Sequence, residues 1–351
     1  MSTPVSPPPV IGSGYEGGIG DQVVNYFRRV RQGEMGALPA LGGFVVLIIL
    51  FSFLSGNFFT PLNLANLLTQ TATLMTLAMA LVFVILLGEI DLSAGVTSGV
   101  TASVFVVLVH NIQMNWILAL LIAFAVGMLI GTFIGFFVAR VGIPSFVVTL
   151  GLFLAIPGLQ LLIIGTGGAY RIETPEISAI MNKNLPIVTG WVLLGVAIAI
   201  DILISLWDRA RRRRAGVLNR PLTLMWARIG ALAVGGALFV ALMSVDRAAG
   251  RGSLNGVPIA HDAIEGVPIV VPIAVGLLWV GTFILDRTRY GRHLYAVGGN
   301  PEAARRAGIK VAGIKMSAFI VCSTLAVVAG LFDASRIGVV TASSGSQIVL
   351  S

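Results

Sequence analysis

Cysteine, histidine and charge are all scarce in this sequence. One cysteine, Cys322, stands in 351 residues, which excludes an internal disulfide framework and a thiolate metal cluster. His110, His261 and His293 are scattered without ligand spacing, so each reads as a boundary residue and no metal site is expected. Charged residues make up 11%, against about 25% in an average soluble protein. No Gly-x-x-x-x-Gly-Lys-[Ser/Thr] stretch occurs, so the chain is not expected to hydrolyse ATP. With no nucleophile triad, histidine cluster or soluble domain, it does not read as an enzyme, and no cofactor is expected.

Apolar residues fill the space that charge leaves. They make up 56% of the chain, and the mean hydropathy is +0.95. Nine stretches are expected to cross a membrane: Leu38–Leu54, Leu64–Leu87, Leu92–Val109, Trp116–Val138, Ser145–Ile164, Ile187–Leu206, Leu224–Val245, Val267–Leu285 and Met316–Leu331. The fold class is therefore all-α, a polytopic transmembrane helical bundle. Forty-two glycines suit such a bundle, because small residues let membrane helices approach closely. Gly127, Gly131 and Gly135 form one such stripe, for which packing is a complete explanation.

The net charge of +8 does not point to nucleic acid, because the basic residues gather in a few loops. With the N-terminus inside and nine crossings, only Arg171, Lys183, Arg247, Arg251 and Arg336 fall outside, leaving 18 of the 23 Lys and Arg inside. That asymmetry supports both span count and orientation. Residues 1–37 read as a cytoplasmic tail rather than a cleavable signal. Met1–Gly20 is rich in Pro, Gly and Ser, and Tyr26–Arg31 is a basic, aromatic segment suited to the inner surface. Residues 38–351 form the membrane domain. Arg211–Arg214 hold orientation and attract anionic lipid.

Three stretches carry more than hydropathy. The inner loop at 286–315 contains Thr288–Lys310, TRYGRHLYAVGGNPEAARRAGIK. After a Gly-Gly-Asn-Pro turn, Asn300 is expected to cap a short helix that Pro301 opens, with Glu302 in its first turn. Ala303, Ala304, Arg305 and Arg306 continue it, and Gly308 ends it in a left-handed conformation. Such a helix is too polar for lipid and offers a surface for another molecule to hold. Gly88–Gly95 reads GEIDLSAG, with Glu89 and Asp91 at a membrane boundary and no basic neighbour in sequence. Asp91 or Ser93 can cap the next span while Gly88 and Gly95 let the backbone turn, or Asp91 can sit at a gate. In RVGIPSFVVTLG, Pro144 opens the fifth span, and Pro157 further on is expected to kink or break it. That makes Thr149, Pro157 and Gln160 candidates for lining a solute path, with a kinked packing helix as the alternative.

These residues resemble bacterial monosaccharide ABC permeases of the ribose, xylose and arabinose branch. GRHLYAVGGNPEAARRAGI matches their cytoplasmic coupling loop over about twenty consecutive residues. GEIDLSAG matches their Gly-x-Ile-Asp-Leu-Ser-x-Gly signature, with Glu89 where a second glycine is commonest. The two extra spans at 187–266 make it look most like the xylose-type subgroup. The resemblance implies a type II-like importer fold in the bacterial inner membrane, with the permease as a homodimer. It implies a cytoplasmic ATPase docked at Asn300–Gly308 and a periplasmic or lipid-anchored sugar-binding protein outside. Members of the family continue into closing helices, whereas here the final stretch from Asp333, DASRIGVVTASSGSQIVLS, carries no further span. C-terminal helices are therefore expected to be missing. An ion-coupled secondary transporter of a small polar solute is the rival reading. It needs buried ionisable groups, and Asp201 is the one acid well inside a span.

Overall fold

The computed structural model describes residues 30, 36, 38–165, 168–216, 222–247, 253–254, 257–258 and 263–346. The Tyr26–Arg31 segment lies outside the described residues except for Val30, and His261 lies outside them too. Each of the nine expected spans is a helix. They are α1 (Leu38–Leu54), α2 (Pro61–Ile85), α3 (Ala94–His110), α4 (Trp116–Phe136), α5 (Ser145–Ile164), α7 (Ile187–Arg214), α8 (Leu222–Met243), α9 (Val270–Arg287) and α12 (Val311–Ile337). Seven are long and apolar enough to cross a membrane, α4 being extended by a π-helical turn at Phe137–Val141; α1 and α3 are shorter apolar helices. Between them lie α6 (Pro175–Asn182), α10 (Arg289–Gly299) and α11 (Pro301–Arg306). Four short strands complete the described elements: β1 (Ala169–Arg171), β2 (Ser253–Leu254), β3 (Val257–Pro258) and β4 (Val339–Thr341).

The chain divides into two compact units. The larger comprises residues 65–185 and 267–351 and is built around α3. Twelve of the 17 residues of α3 are buried, which makes it the central helix of that unit. Most of its side chains are small, and three of its four hydroxyls bond back to its own carbonyls, Thr97 excepted: Ser98 to Gly95 (2.6 Å), Thr101 to Thr97 (2.8 Å) and Ser103 to Gly99 (2.8 Å). Polar atoms satisfied in this way can be buried in a helical bundle at little cost. α12 and α4 pack on α3 and on each other. The Gly127, Gly131 and Gly135 stripe faces α12: a Cβ on Gly131 would sit 2.6 Å from the Phe319 carbonyl oxygen, and one on Gly135 would sit 2.8 Å from the Met316 Cα.

At one end of this unit, β1 pairs antiparallel with β4, with Tyr170 opposite Val340. Ser335 there donates to the Ile177 carbonyl (2.7 Å), and Asn182 donates to the Ser335 carbonyl (2.8 Å). His110 lies 3.7 Å from Glu173 at the same end, beside Tyr170. After β4 the chain turns back onto the bundle, where a Cβ on Gly99 would overlap the Ser344 carbonyl oxygen. Leu185 donates to the Val267 carbonyl (2.8 Å) and Asn184 forms a bridge with Pro268, so the two chain segments leading to and from residues 186–266 run side by side.

The smaller unit comprises residues 1–64 and 186–266. In it α7 and α8 pack as a hairpin. Asp201 is bound by Arg228, which also donates to Ser205 (3.0 Å). Its partner is therefore a cation on the facing helix. Arg247 is buried after α8 and donates to the Met243 carbonyl (2.8 Å) and the Gly266 carbonyl (3.0 Å).

Two expectations need correction and one is narrowed. Of the kink or break expected at Pro157, the break is excluded, since α5 runs unbroken from Ser145 to Ile164. One proline removes one intrahelical bond, and the rest of the helix holds. Thr288–Gly299 is not a loop leading to a turn but largely the helix α10, and extended backbone at Asn300 (φ −158°) separates it from α11. The ninth span starts at Val311 rather than near Met316, which puts Lys315 on the helix.

Candidate functional site

The polar helices α10 and α11 are placed by local chemistry at their starts and by close packing beneath. Thr288 caps α10 by accepting from the Gly291 N–H (3.2 Å). Gly291 has no room for a side chain, since a Cβ would overlap the Leu285 carbonyl oxygen. Leu294 and Val297, three residues apart on one face, are fully buried with Phe83, Leu87, Leu285 and Ala304. Gly298 sits on the backbone of Leu86, where a Cβ would run into the carbonyl oxygen.

α11 follows with the caps read from the sequence. The Asn300 side chain accepts from the N–H groups of Glu302 (3.1 Å) and Ala303 (2.9 Å), and Pro301 takes the first helical position. Ala304 is buried and anchors the helix, while Glu302, Ala303, Arg305 and Arg306 are exposed. Gly308 has φ +83°, and the Ile309 N–H returns to the Ala304 carbonyl (3.0 Å). Glu302 pairs with Arg305 (3.0 Å) and Arg306 (3.7 Å). Exposed pairs of this kind contribute only a few tenths of a kcal/mol, roughly, so they leave the side chains free to exchange partners. On α10, the Tyr290 hydroxyl accepts from Ser317 (3.1 Å), and burial raises its pKa above the usual tyrosine range.

The turn from Leu86 to Gly95 lies under α10. Gly88 turns it with φ +73°. Glu89 forms an ion pair with Lys315 of α12, so the acid that lacks a basic neighbour in sequence has one in space. The Ile90 N–H donates to Ser145 (3.0 Å). Asp91 is buried; one carboxylate oxygen accepts from the Ser93 N–H (2.9 Å) and hydroxyl (2.7 Å), and the other from the Cys322 thiol (3.5 Å). Ser93 occupies the N-cap position of α3, but its own side chain caps no backbone N–H. Gly95 ends the turn, its carbonyl oxygen 2.5 Å from where a Cβ on Gly345 would stand.

The candidate path residues are engaged within the protein. Thr149 donates to the Ser145 carbonyl (2.9 Å) and the Ile90 carbonyl (3.3 Å). Gln160 is buried and donates to the carbonyls of Thr341 (2.9 Å) and Ser344 (3.1 Å), holding the segment after β4. Thr149 and the Gly88–Gly95 turn therefore belong together, whereas Gln160 lies with the returning segment. Gly291, Gly298 and Lys315 were not singled out by sequence reasoning. The unpaired Glu89 was the available signal for Lys315; the two glycines had none beyond their identity. No group of three potential metal ligands exists among the described residues.

The arrangement is a packed connection: α10 rests on the backbone of the turn, and the turn leads directly into the central helix. Comparison with known proteins gives it a family. The family model described as "Branched-chain amino acid transport system / permease component" matches residues 63–351. The xylose transport system permease protein of Escherichia coli (strain K12) is 31% identical over 311 residues, covering 87% of this chain and 73% of that protein. Its counterpart in Haemophilus influenzae is 28% identical over 322 residues, covering 87% and 78%. The ribose import permease protein of E. coli K12 is 27% identical over 321 residues, covering 92% and 75%. No solved structure matches. The chain is a multi-pass membrane protein, and it belongs to the branched-chain amino acid transport system / permease component family.

Proposed function

We propose that this chain is the membrane-spanning subunit of an ATP-driven importer that brings a monosaccharide, xylose or a related sugar, into a bacterial cell. The observation that carries the reading is the seat of α10: its Gly298 lies against the Leu86 backbone, two residues before the Gly88 turn that enters α3. A force on α11 passes through α10 to that turn and thence to the centre of the bundle. Such coupling biases a two-state element through a ligand on another chain. The chain would work as a homodimer in the inner membrane, N-terminus inside. A separate cytoplasmic ATPase would grip Asn300–Gly308, and a periplasmic or lipid-anchored binding protein would deliver the sugar. The relatives named for xylose and ribose support the substrate class. In this scheme Thr149 braces the turn and Gln160 braces the wall formed by the returning segment, near the path. The ion-driven alternative loses its best-placed acid, since Asp201 is held by Arg228.

The test is coupled hydrolysis in nanodiscs holding the chain, its cognate ATPase and the sugar-loaded binding protein. ATP turnover is expected to rise with the loaded binding protein and to collapse with Glu302→Arg or Gly308→Trp. An ATPase that neither binds nor responds to the unaltered chain would sink the proposal.

A further inference from the structure

Beside α11 lies a cavity of about 540 Å³, within the range of small-ligand sites. It opens between the π-helical turn after α4, the foot of α11 and the start of α12. Arg140, Arg305, Lys310 and Lys315 all line it, and no carboxylate does. Lys315 is neutralised by Glu89 and Arg305 is shared with Glu302. Arg140 and Lys310 have no ion-pair partner among the described residues. Two uncompensated cations facing one concavity make a place for an anion. The Arg140 guanidinium suits a tetrahedral oxyanion, which it can grip with two parallel N–H donors.

The surroundings say where the anion comes from. Val138 and Ile309 give the cavity apolar flanks, and Phe133, Phe136 and Val141 stand exposed along the same helix end. Exposed phenylalanines on a membrane helix face acyl chains. A ligand with a phosphate at one end and hydrocarbon at the other fits both surfaces at once, as basic pockets at the ends of membrane helices fit lipid headgroups.

We propose that this cavity binds a phosphate group, and that the group is the headgroup of an anionic phospholipid from the surrounding leaflet. The lipid would lie against Pro301 and Arg305, at the foot of the helix assigned to ATPase contact. The proposal needs only that the chain sits in a membrane, so it stands or falls separately from the coupling scheme.

The experiment places the full-length chain in nanodiscs of phosphatidylcholine with graded phosphatidylglycerol, and counts retained phosphatidylglycerol by native mass spectrometry. Arg140→Gln and Lys310→Gln are each expected to weaken retention about fivefold, and together about thirty-fold. Arg289→Gln with Arg292→Gln, which removes the same charge from α10 outside the cavity, is expected to leave retention unchanged. Melting temperatures check that all variants fold, as their exposed positions lead one to expect. Undiminished retention in the Arg140/Lys310 double variant, or equal loss in the α10 control, overturns the site. A further arm adds inorganic phosphate and glycerol phosphate as competitors. If either displaces the lipid at low millimolar concentration, the ligand is a soluble phosphate and the lipid assignment is overturned.

Discussion

Neighbouring glycines at the end of α10 differ in what they permit. A Cβ on Gly298 collides with the Leu86 carbonyl, whereas one on Gly299 meets nothing within 4 Å. Gly298→Ala is expected to lower stability by about 1–3 kcal/mol and to reduce ATPase stimulation, while Gly299→Ala is neutral or slightly stabilising. Thermal melting in detergent separates the two. The Glu89–Lys315 pair makes a second case. Its side chains are 14% and 22% exposed, so removing one partner strands a largely buried charge. Glu89→Gln is expected to cost about 2 kcal/mol, somewhat less than the ~3–5 kcal/mol of a fully buried pair, and Glu89→Gln with Lys315→Met to regain most of it. A melting series that shows no recovery in the double variant refutes that account. The caps at Asn300 and Gly308 were legible in the sequence because their partners lie within four residues. Glu89 and Lys315 are 226 positions apart, and no local pattern joins them.

Among the elements, the apolar spans could be read because each declares itself by length and composition. α10 could not. Its glycines and basic residues read as a loop, and the helix exists because Leu294 and Val297 find a buried seat. Tertiary packing there overrides propensity. The same logic governs α4, whose stripe of small residues was legible although its partner helix was not. Gly131→Val is expected to push α4 off α12 and abolish folded yield. Gly151→Val on α5, where a Cβ meets nothing, is expected to be tolerated. Size-exclusion profiles of the two detergent-solubilised variants check this.

For the whole molecule, the side-by-side course of 183–185 and 267–269 shows that residues 186–266 enter and leave the larger unit at one place. Replacing them with a short Asn-Gly turn should leave the larger unit folded, since its own core and hydrogen bonds stay intact, and removing two spans keeps every other helix in its direction. Limited proteolysis of the shortened chain should give the same protected fragments from 65–185 and 267–346 as the full chain. Loss of that protection would show that the larger unit depends on the segment. The insertion at 187–266 was visible in the sequence as surplus spans. The adjacency of its ends was not, because it depends on backbone bonds between segments about eighty residues apart in the chain.

The burial of α3 also sets a timetable. Its walls include α12 and the segment near Ser344, the last parts of the described chain to be made. A ribosome adding about 5–20 residues per second needs roughly 10–45 s to travel from Ala94 to Val311. For that interval a helix rich in serine, threonine and glycine waits in the bilayer without its final neighbours. The nascent chain is therefore most vulnerable to misassembly and to membrane proteases before α12 arrives, and α3 is sealed only then.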